Sequence, residues 1–349
     1  MDRLDASIAK LLKERLELSR RIGVLKKKSR MEIHDPRRER EILSNVGKLA
    51  HELGIRKDDL QEIYKKILSM SRKIQGIEEK VAFLGPSGTF CQQASRTYFK
   101  NSPVKFLEYL TIPDIFRTVS EGEADYGVIP VENSTEGSVN IALDLLLSSD
   151  LKVCGEIEER IRHNLITRPG TKWQDVRTVI SHPQALAQCR KFLEENLVRA
   201  RLKEVSSTST AVRMAKRVRY TAAIGTELAA ELYGMEVATR GIEDNPRNFT
   251  RFFVLSRNDV KPTGDDKTSI IFSVKHIPGA LYGALQVFAK RKLNLTKIES
   301  RPTRRVPWEY VFYCDFEGHR VEEKCRSALK ELESMCAFLK VLGSYPRAR

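Results

Sequence analysis

Apolar positions recur at helical spacing through the first 80 residues and at strand spacing beyond them. Leu4, Ile8, Leu11, Leu18 and Ile22 share one helical line, with Arg15 on it and Lys26 one turn past Ile22. Asp35-Pro36 supplies a helix start, Asp as N-cap and Pro at the first helical position. A second stripe follows through Ile42, Leu43, Val46, Leu49 and Leu53, led by Arg38 and Glu39 and closed by Gly54. The third runs Leu60, Ile63, Tyr64, Ile67 and Ile74, with Ser71 and Gln75 on its face.

From Val81 the texture changes. Apolar strand runs at 81–84, 126–131, 178–180 and 222–225 alternate with helical stretches near 112–122, 137–149, 210–218 and 226–233. That alternation predicts a mostly parallel sheet, with ligands bound at the carboxyl ends of its strands. The polar segment Lys261 to Asp266 reads as a linker. Beyond it the order is strand (268–275), helix (279–291), strands (295–302 and 308–316), helix (321–334) and strand (337–343), a ferredoxin-like βαββαβ unit.

The 349 residues are enough for two to three domains, and three are drawn: 1–79, 80–260 and 267–349. No apolar run reaches the roughly 20 residues of a membrane span, and the opening Met1-Asp2-Arg3-Leu4-Asp5 lacks the apolar core of a secretion signal. The six cysteines include no C-x-x-C pair. A cytoplasmic protein with neither disulfides nor a zinc site is expected, and no motif for a metal, nucleotide or redox cofactor is present.

The net charge of +15 raises nucleic acid as a partner, and anionic small substrates would explain it equally. The position of the charges separates the two. Three helices in 80 residues make a thin core, so self-association is expected. Burying an unpaired charge in such a core costs roughly 3–5 kcal/mol. Arg15, Lys26, Arg38 and Glu39, with Ser71 and Gln75, therefore either snorkel to water or converge on a polar ligand. A nucleic-acid surface would place its basic residues outward instead.

In the second region, polar clusters close the strands: Gly85 to Phe90, Glu132 to Gly137, and Ser181-His182-Pro183-Gln184 leading to Gln188. The first lacks the Lys and spacing of a phosphate-binding loop, though Ser87, Thr89 and the turn amides suit a carboxylate. His182 is given no role. Asn245 to Leu255 joins polar residues to an apolar run whose far end, Phe252 to Leu255, is predicted to be buried. Asn248, Thr250 and Arg251 stand at its mouth, either as a surface strand opening or as a site for a carboxylated substrate with a leaving hydroxyl.

Three resemblances bear on these alternatives. Arg15, Lys26, His34 to Arg40, Ser71 and Gln75 resemble, over residues 2–79, the all-helical chorismate mutase family. This implies an intertwined helical dimer in which Arg15 binds a carboxylate. Lys26 and Gln75 face the ether oxygen of chorismate, and Glu39 takes the ring hydroxyl. Asp35, Arg38 and Ser71 position the ring substituents. The family carries a further Arg early in its first helix, which alignment puts ahead of Met1, and Arg3 lies on another face. Either the natural start is upstream or this mutase site is impaired, and weak mutase activity is expected of these 349 residues.

Gly85 to Phe90, Pro130 to Ser134, Ser181 to Gln188 and Asn248 to Phe252 resemble, in order, the prephenate dehydratase family, whose fold is two α/β lobes around a cleft, like a solute-binding protein. The resemblance implies that Thr250 serves the leaving hydroxyl and that Arg251 supplies charge to a carboxylate or structure to the loop. Asn133, Ser181, Gln188, Thr89 and Asn248 bind or orient substrate, and Glu132 supports them. Gly279-Ala280-Leu281 and Glu299-Ser300-Arg301-Pro302 resemble the phenylalanine-binding ACT domains that follow such dehydratases.

Together these imply a multidomain α and α/β chain acting on chorismate and prephenate, inhibited by phenylalanine, without cofactor, nucleic acid or membrane partner, as a homodimer or homotetramer. Two other readings stay open. One is a dehydratase whose helices only dimerise, and the other a two-lobed solute-binding or sensor protein.

Overall fold

The computed structural model describes residues 1–29, 36–75, 78–303 and 309–348. The first unit is built on α1 (Asp2–Lys28), α2 (Pro36–Glu52) and α3 (Lys57–Gln75). Gly23 lets α1 approach α3: a Cβ there would meet Gln75 at 3.0 Å. Among the described residues of this unit, little apolar surface is covered. Val46, Ala50 and Leu68 are buried, whereas Leu4, Ile8 and Leu11 each stay more than 60% exposed.

The second unit holds two α/β lobes and a C-terminal sheet. The first lobe comprises β1 (Glu79–Leu84), α4 (Phe90–Tyr98), β2 (Val104–Tyr109), α5 (Ile112–Ser120), β3 (Tyr126–Asn133), β4 (Gly137–Ser138), α6 (Asn140–Ser148) and β5 (Lys152–Arg160). The chain then builds the other lobe from β6 (Asn164–Thr167), β7 (Thr178–Ser181), α7 (Pro183–Gln188), α8 (Arg190–Asn196), β8 (Arg201–Glu204), α9 (Thr208–Ala215), β9 (Thr221–Gly225), α10 (Glu227–Tyr233) and β10 (Glu236–Thr239). It returns through β11 (Phe249–Ser256), which inserts between β3 and β5.

Neither sheet is mostly parallel, contrary to the sequence expectation. β1 and β3 are parallel, but β11 runs antiparallel to both β3 and β5. In the other lobe β7 is parallel to β8 and β9, while β6 is antiparallel to β9 and β10. The physical reason is the double crossing between lobes: a strand that comes back from the far lobe enters the sheet in the opposite sense. Phe252 to Leu255 are buried, as the apolar run predicts.

The C-terminal sheet has β12 (Asp266–Val274), α11 (Ala280–Lys290), β13 (Leu295–Pro302), β14 (Tyr310–Glu317), α12 (Glu323–Met335) and β15 (Cys336–Pro346), in the antiparallel order β13-β14-β12-β15. Both helices pack on one face around Phe272, Phe288 and Phe316. This is the ferredoxin-like arrangement. The other face meets the first lobe, where Tyr345, Ile271 and Tyr313 join the core of Leu143, Val153 and Phe253. Gly343 sits so close to Val153 that a Cβ would overlap its carbonyl oxygen.

Candidate active site

A cavity of about 320 Å³ lies between the two lobes. The first lobe contributes Leu84, Thr89, Pro130, Asn133, Val139 and Thr250; the second contributes His163, His182, Gln188 and Ser207. Among the described lining residues none is Asp, Glu, Lys or Arg. The turn after β1 also closes on the far lobe, since Thr226 donates to the Gly88 carbonyl at 2.7 Å and Tyr233 to that of Ser87 at 3.1 Å.

The polar wall is one connected set of amides and a hydroxyl. Asn133 Nδ2 donates to Thr250 Oγ1 at 2.8 Å and to Asn248 Oδ1 at 2.8 Å. Asn133 Oδ1 accepts from the Thr135 hydroxyl and from the backbone N–H groups of Thr135 and Glu136, which fixes the amide orientation. Asn248 Nδ2 donates to Gln188 Oε1 at 3.0 Å, and Gln188 reaches back to Thr135 Oγ1. Because Asn133 is the donor in its pair, the Thr250 hydroxyl hydrogen is free to turn toward the cavity.

His163 belongs to this set, and the sequence reading missed it. It stands just before β6, with no motif around it, and only spatial neighbours disclose it. Its Nε2 lies 2.9 Å from Gln188 Oε1, so Nε2 carries the hydrogen. Burial lowers its pKa, against opposing effects of Gln188 and Glu243, so the ring is neutral. Phe90 packs edge-on against it at 5.4 Å. His182 caps α7 by accepting from Gln184 N, a role the sequence did not supply.

Four predicted residues stand elsewhere. Ser181 is fully buried and spends its hydroxyl on the Ile224 carbonyl at 2.8 Å, because its strand position faces the lobe interior. Ser87 gives its hydroxyl to Glu108 at 2.7 Å. Arg251 follows Thr250 on a strand and so points to the opposite face. There it ion-pairs with Glu156 at 2.8 Å and with Asp315, and donates to Tyr345 Oη. Glu132, opposite Arg251 in register, pairs behind the sheet with Lys297 at 2.7 Å. Burial alone would raise the Glu156 pKa, but Arg251 and Lys267 hold it below the usual carboxylate range.

In the helical unit, Arg15 donates to Ser71 Oγ at 2.6 Å, and Glu39 pairs with Arg72 at 2.6 Å, a partner the sequence reading did not name. Gln75 packs on Gly23, and Lys26 is half-buried on α1. Arg38 turns outward to Glu41 at 3.1 Å, because the i,i+3 spacing puts that carboxylate within reach. Asp35 lies outside the described residues. In the C-terminal sheet, Gly279 precedes α11 with φ +80°, which favours glycine, and leaves open space beside the Ala280-Leu281 start. The side chains of Glu299 and Arg301 reach not outward but to Ser138 and to Asn140 and Asp144 of the first lobe.

A helical unit, a two-lobed α/β cleft with a neutral hydrogen-bonding wall, and a ferredoxin-like sheet docked behind it define a multidomain α and α/β protein. Family models agree with each part: chorismate mutase type II matches residues 1–76, prephenate dehydratase 81–260 and the ACT domain 268–334. A bifunctional chorismate mutase/prephenate dehydratase of Aquifex aeolicus is 46% identical over 100% of this chain and 96% of its own length. Among solved structures, the prephenate dehydratase of Arthrobacter aurescens in complex with L-Phe is 34% identical, with a TM-score of 0.71, over 77% of this chain and 90% of that one. A protein described as a novel type of quorum quenching acylase is 31% identical, with a TM-score of 0.70, over 77% of this chain and 98% of its own. The chain belongs to the bifunctional chorismate mutase/prephenate dehydratase family.

Proposed function

We propose that this chain rearranges chorismate to prephenate in its helical unit and converts prephenate to phenylpyruvate in the cleft, under inhibition by phenylalanine bound to the ACT domain. The observation that carries the dehydratase assignment is the Asn133–Thr250–Asn248–Gln188 cluster on the cavity wall. The reaction takes up one proton and releases carbon dioxide and water. The electron pair of the breaking C–C bond enters the ring as the C–O bond to the hydroxyl breaks.

Thr250 donates its hydrogen bond to the departing oxygen, and Asn133 holds the hydroxyl in the orientation that leaves that hydrogen free. Asn248, Gln188 and His163 keep the wall rigid in one tautomer. The carboxylate that is lost faces Val139, Ile161 and Phe252, in a cavity whose described lining carries no cation. Removing the charge as carbon dioxide relieves its burial. The carboxylate that is kept is served by the N-terminal ends of α4 and α9 and by the Thr208 hydroxyl. The Thr89 and Ser207 hydroxyls cap those ends and donate to the Leu84 carbonyl and to Thr210 Oγ1. Ser181, Glu132 and Arg251 support this wall from within the lobes.

In the helical unit, Arg15 binds one carboxylate of chorismate, steadied by Ser71. Lys26 and Gln75 stabilise charge on the ether oxygen, and Glu39 takes the ring hydroxyl. Asp35 joins the site on the resemblance alone, whereas Arg38, turned outward to Glu41, does not. A pericyclic rearrangement needs only this positioning and charge stabilisation. The exposed stripe of Leu4, Ile8 and Leu11 is covered by a second copy, giving a homodimer or a pair of dimers. Phenylalanine sits beside Gly279, Ala280 and Leu281 and against the outward residues Ser300 and Pro302 of β13.

Supplying the purified chain with chorismate, and separately with prephenate, while following phenylpyruvate with and without phenylalanine tests the whole assignment. Turnover of both substrates, inhibited by phenylalanine, is expected. A chain that turns over neither contradicts it.

A further inference from the structure

Strand β13 has two faces with different duties. Ile298, Ser300 and Pro302 are exposed, while Lys297, Glu299 and Arg301, at alternate positions, turn toward the dehydratase lobe. Each inward side chain grips the same stretch of that lobe. Lys297 pairs with Glu132 at 2.7 Å, and Glu299 accepts from Ser138, the residue opposite Glu132 in the β3–β4 register. Arg301, whose side chain is only 9% exposed, binds Asn140 and pairs with Asp144 at 2.8 Å at the start of α6.

The rest of that helix is held from the same sheet. Tyr313 Oη donates to the Leu143 carbonyl at 2.8 Å, and Lys340 Nζ caps the C-terminal end by donating to the carbonyls of Leu146, Leu147 and Ser149. The other side of the gripped stretch, residues 132–149, forms cavity wall. Asn133, which orients Thr250, follows Glu132 directly, and Val139 lines the cavity immediately before α6.

We infer that Lys297, Glu299 and Arg301 couple the outward face of β13 to residues 132–149, so that a ligand on that face alters turnover by moving this stretch through the clamp. The inference rests on the reading that phenylalanine is that ligand. β13 connects the two sites because its alternating side chains touch the ligand on one face and the cavity wall's support on the other. Such coupling between sites is typically worth about 5–150-fold.

The test uses the full chain with Asp144→Asn, which weakens the hold of Arg301, and separately with Lys340→Met, which frees the end of α6. Neither residue belongs to the catalytic or ligand-binding sets. For each variant, dehydratase kcat and KM are measured without and with saturating phenylalanine, and phenylalanine affinity is measured by calorimetry. The inhibition ratio is expected to fall at least about fivefold, with uninhibited kcat/KM and phenylalanine affinity within about twofold of the parent chain. A parent chain that is inhibited, with both variants folded and inhibited to the same extent, overturns the clamp alone. A parent chain that binds phenylalanine with no change in rate overturns the feedback reading, and the clamp with it.

Discussion

The two faces of the β3–β11 strand pair are built from opposite materials. In front, Asn133 and Thr250 meet in a neutral set of amides and a hydroxyl beside the cavity. Behind, one residue along each strand, Glu132 and Arg251 are held in ion pairs by Lys297, Glu156 and Asp315. Among the described residues, the neutral donors in front leave no fixed cation at the cavity to compensate a carboxylate that must depart. Charges behind, where partners satisfy them, hold the strands in place and connect them to the regulatory sheet. The strand period of two lets adjacent residues serve both purposes.

Breaking the front face has the largest expected effect. Thr250→Ala lowers dehydratase kcat at least about a hundredfold, the range of a positioned proton donor, while prephenate binding and mutase turnover persist. A drop of less than about threefold would show that Thr250 is not the donor. Breaking the back face is expected to act on stability first. Arg251→Met leaves Glu156 and Asp315 buried without their shared guanidinium and costs about 3–5 kcal/mol, read from denaturant unfolding.

A charged site offers a third comparison. Arg15→Ala in the helical unit removes a hydrogen bond from a charged group, worth about 1.5–3 kcal/mol, and lowers mutase kcat/KM roughly tenfold or more with dehydratase kinetics unchanged. If both activities fall together, the two sites are not independent.

Acidification separates the two faces by the smallest effect. The lowered pKa of His163 means that its contribution to stability is full above the ordinary imidazole value of about 6.5 and is lost as pH falls through the folded value. Glu156, also lowered, contributes fully above about 4.3 and loses that contribution only as pH falls through its own depressed value. Dehydratase rate and thermal unfolding followed together from pH 8 to pH 4 should show the cleft weakening before the junction behind it. The reverse order would remove the neutral imidazole from the account.

The sequence made some of this legible and concealed the rest for definite reasons. The apolar run Phe252 to Leu255 after a polar mouth marks β11, and the change of period near Val81 marks the passage from helices to α/β lobes. The division of Thr250 from Arg251 is hidden because the two are neighbours in the chain and opposites in the sheet. β5 escapes notice because Glu156 is a carboxylate at a buried position, made tolerable by Lys267, 111 residues away. His163 has no local pattern, and its partner Gln188 is 25 residues on. The antiparallel sense of β11 depends on the chain having built a second lobe first, which no local stretch records.

The hydrogen bond from Asn133 to Thr250 is the central claim, and a double-mutant cycle tests it most directly. Dehydratase kcat/KM is measured for Asn133→Ala, Thr250→Ala and the double variant. Residues that act as one unit give strongly non-additive losses, so the double variant is expected to be within about threefold of Thr250→Ala alone. If the two losses multiply in full, Asn133 and Thr250 act independently and the account of the front face fails.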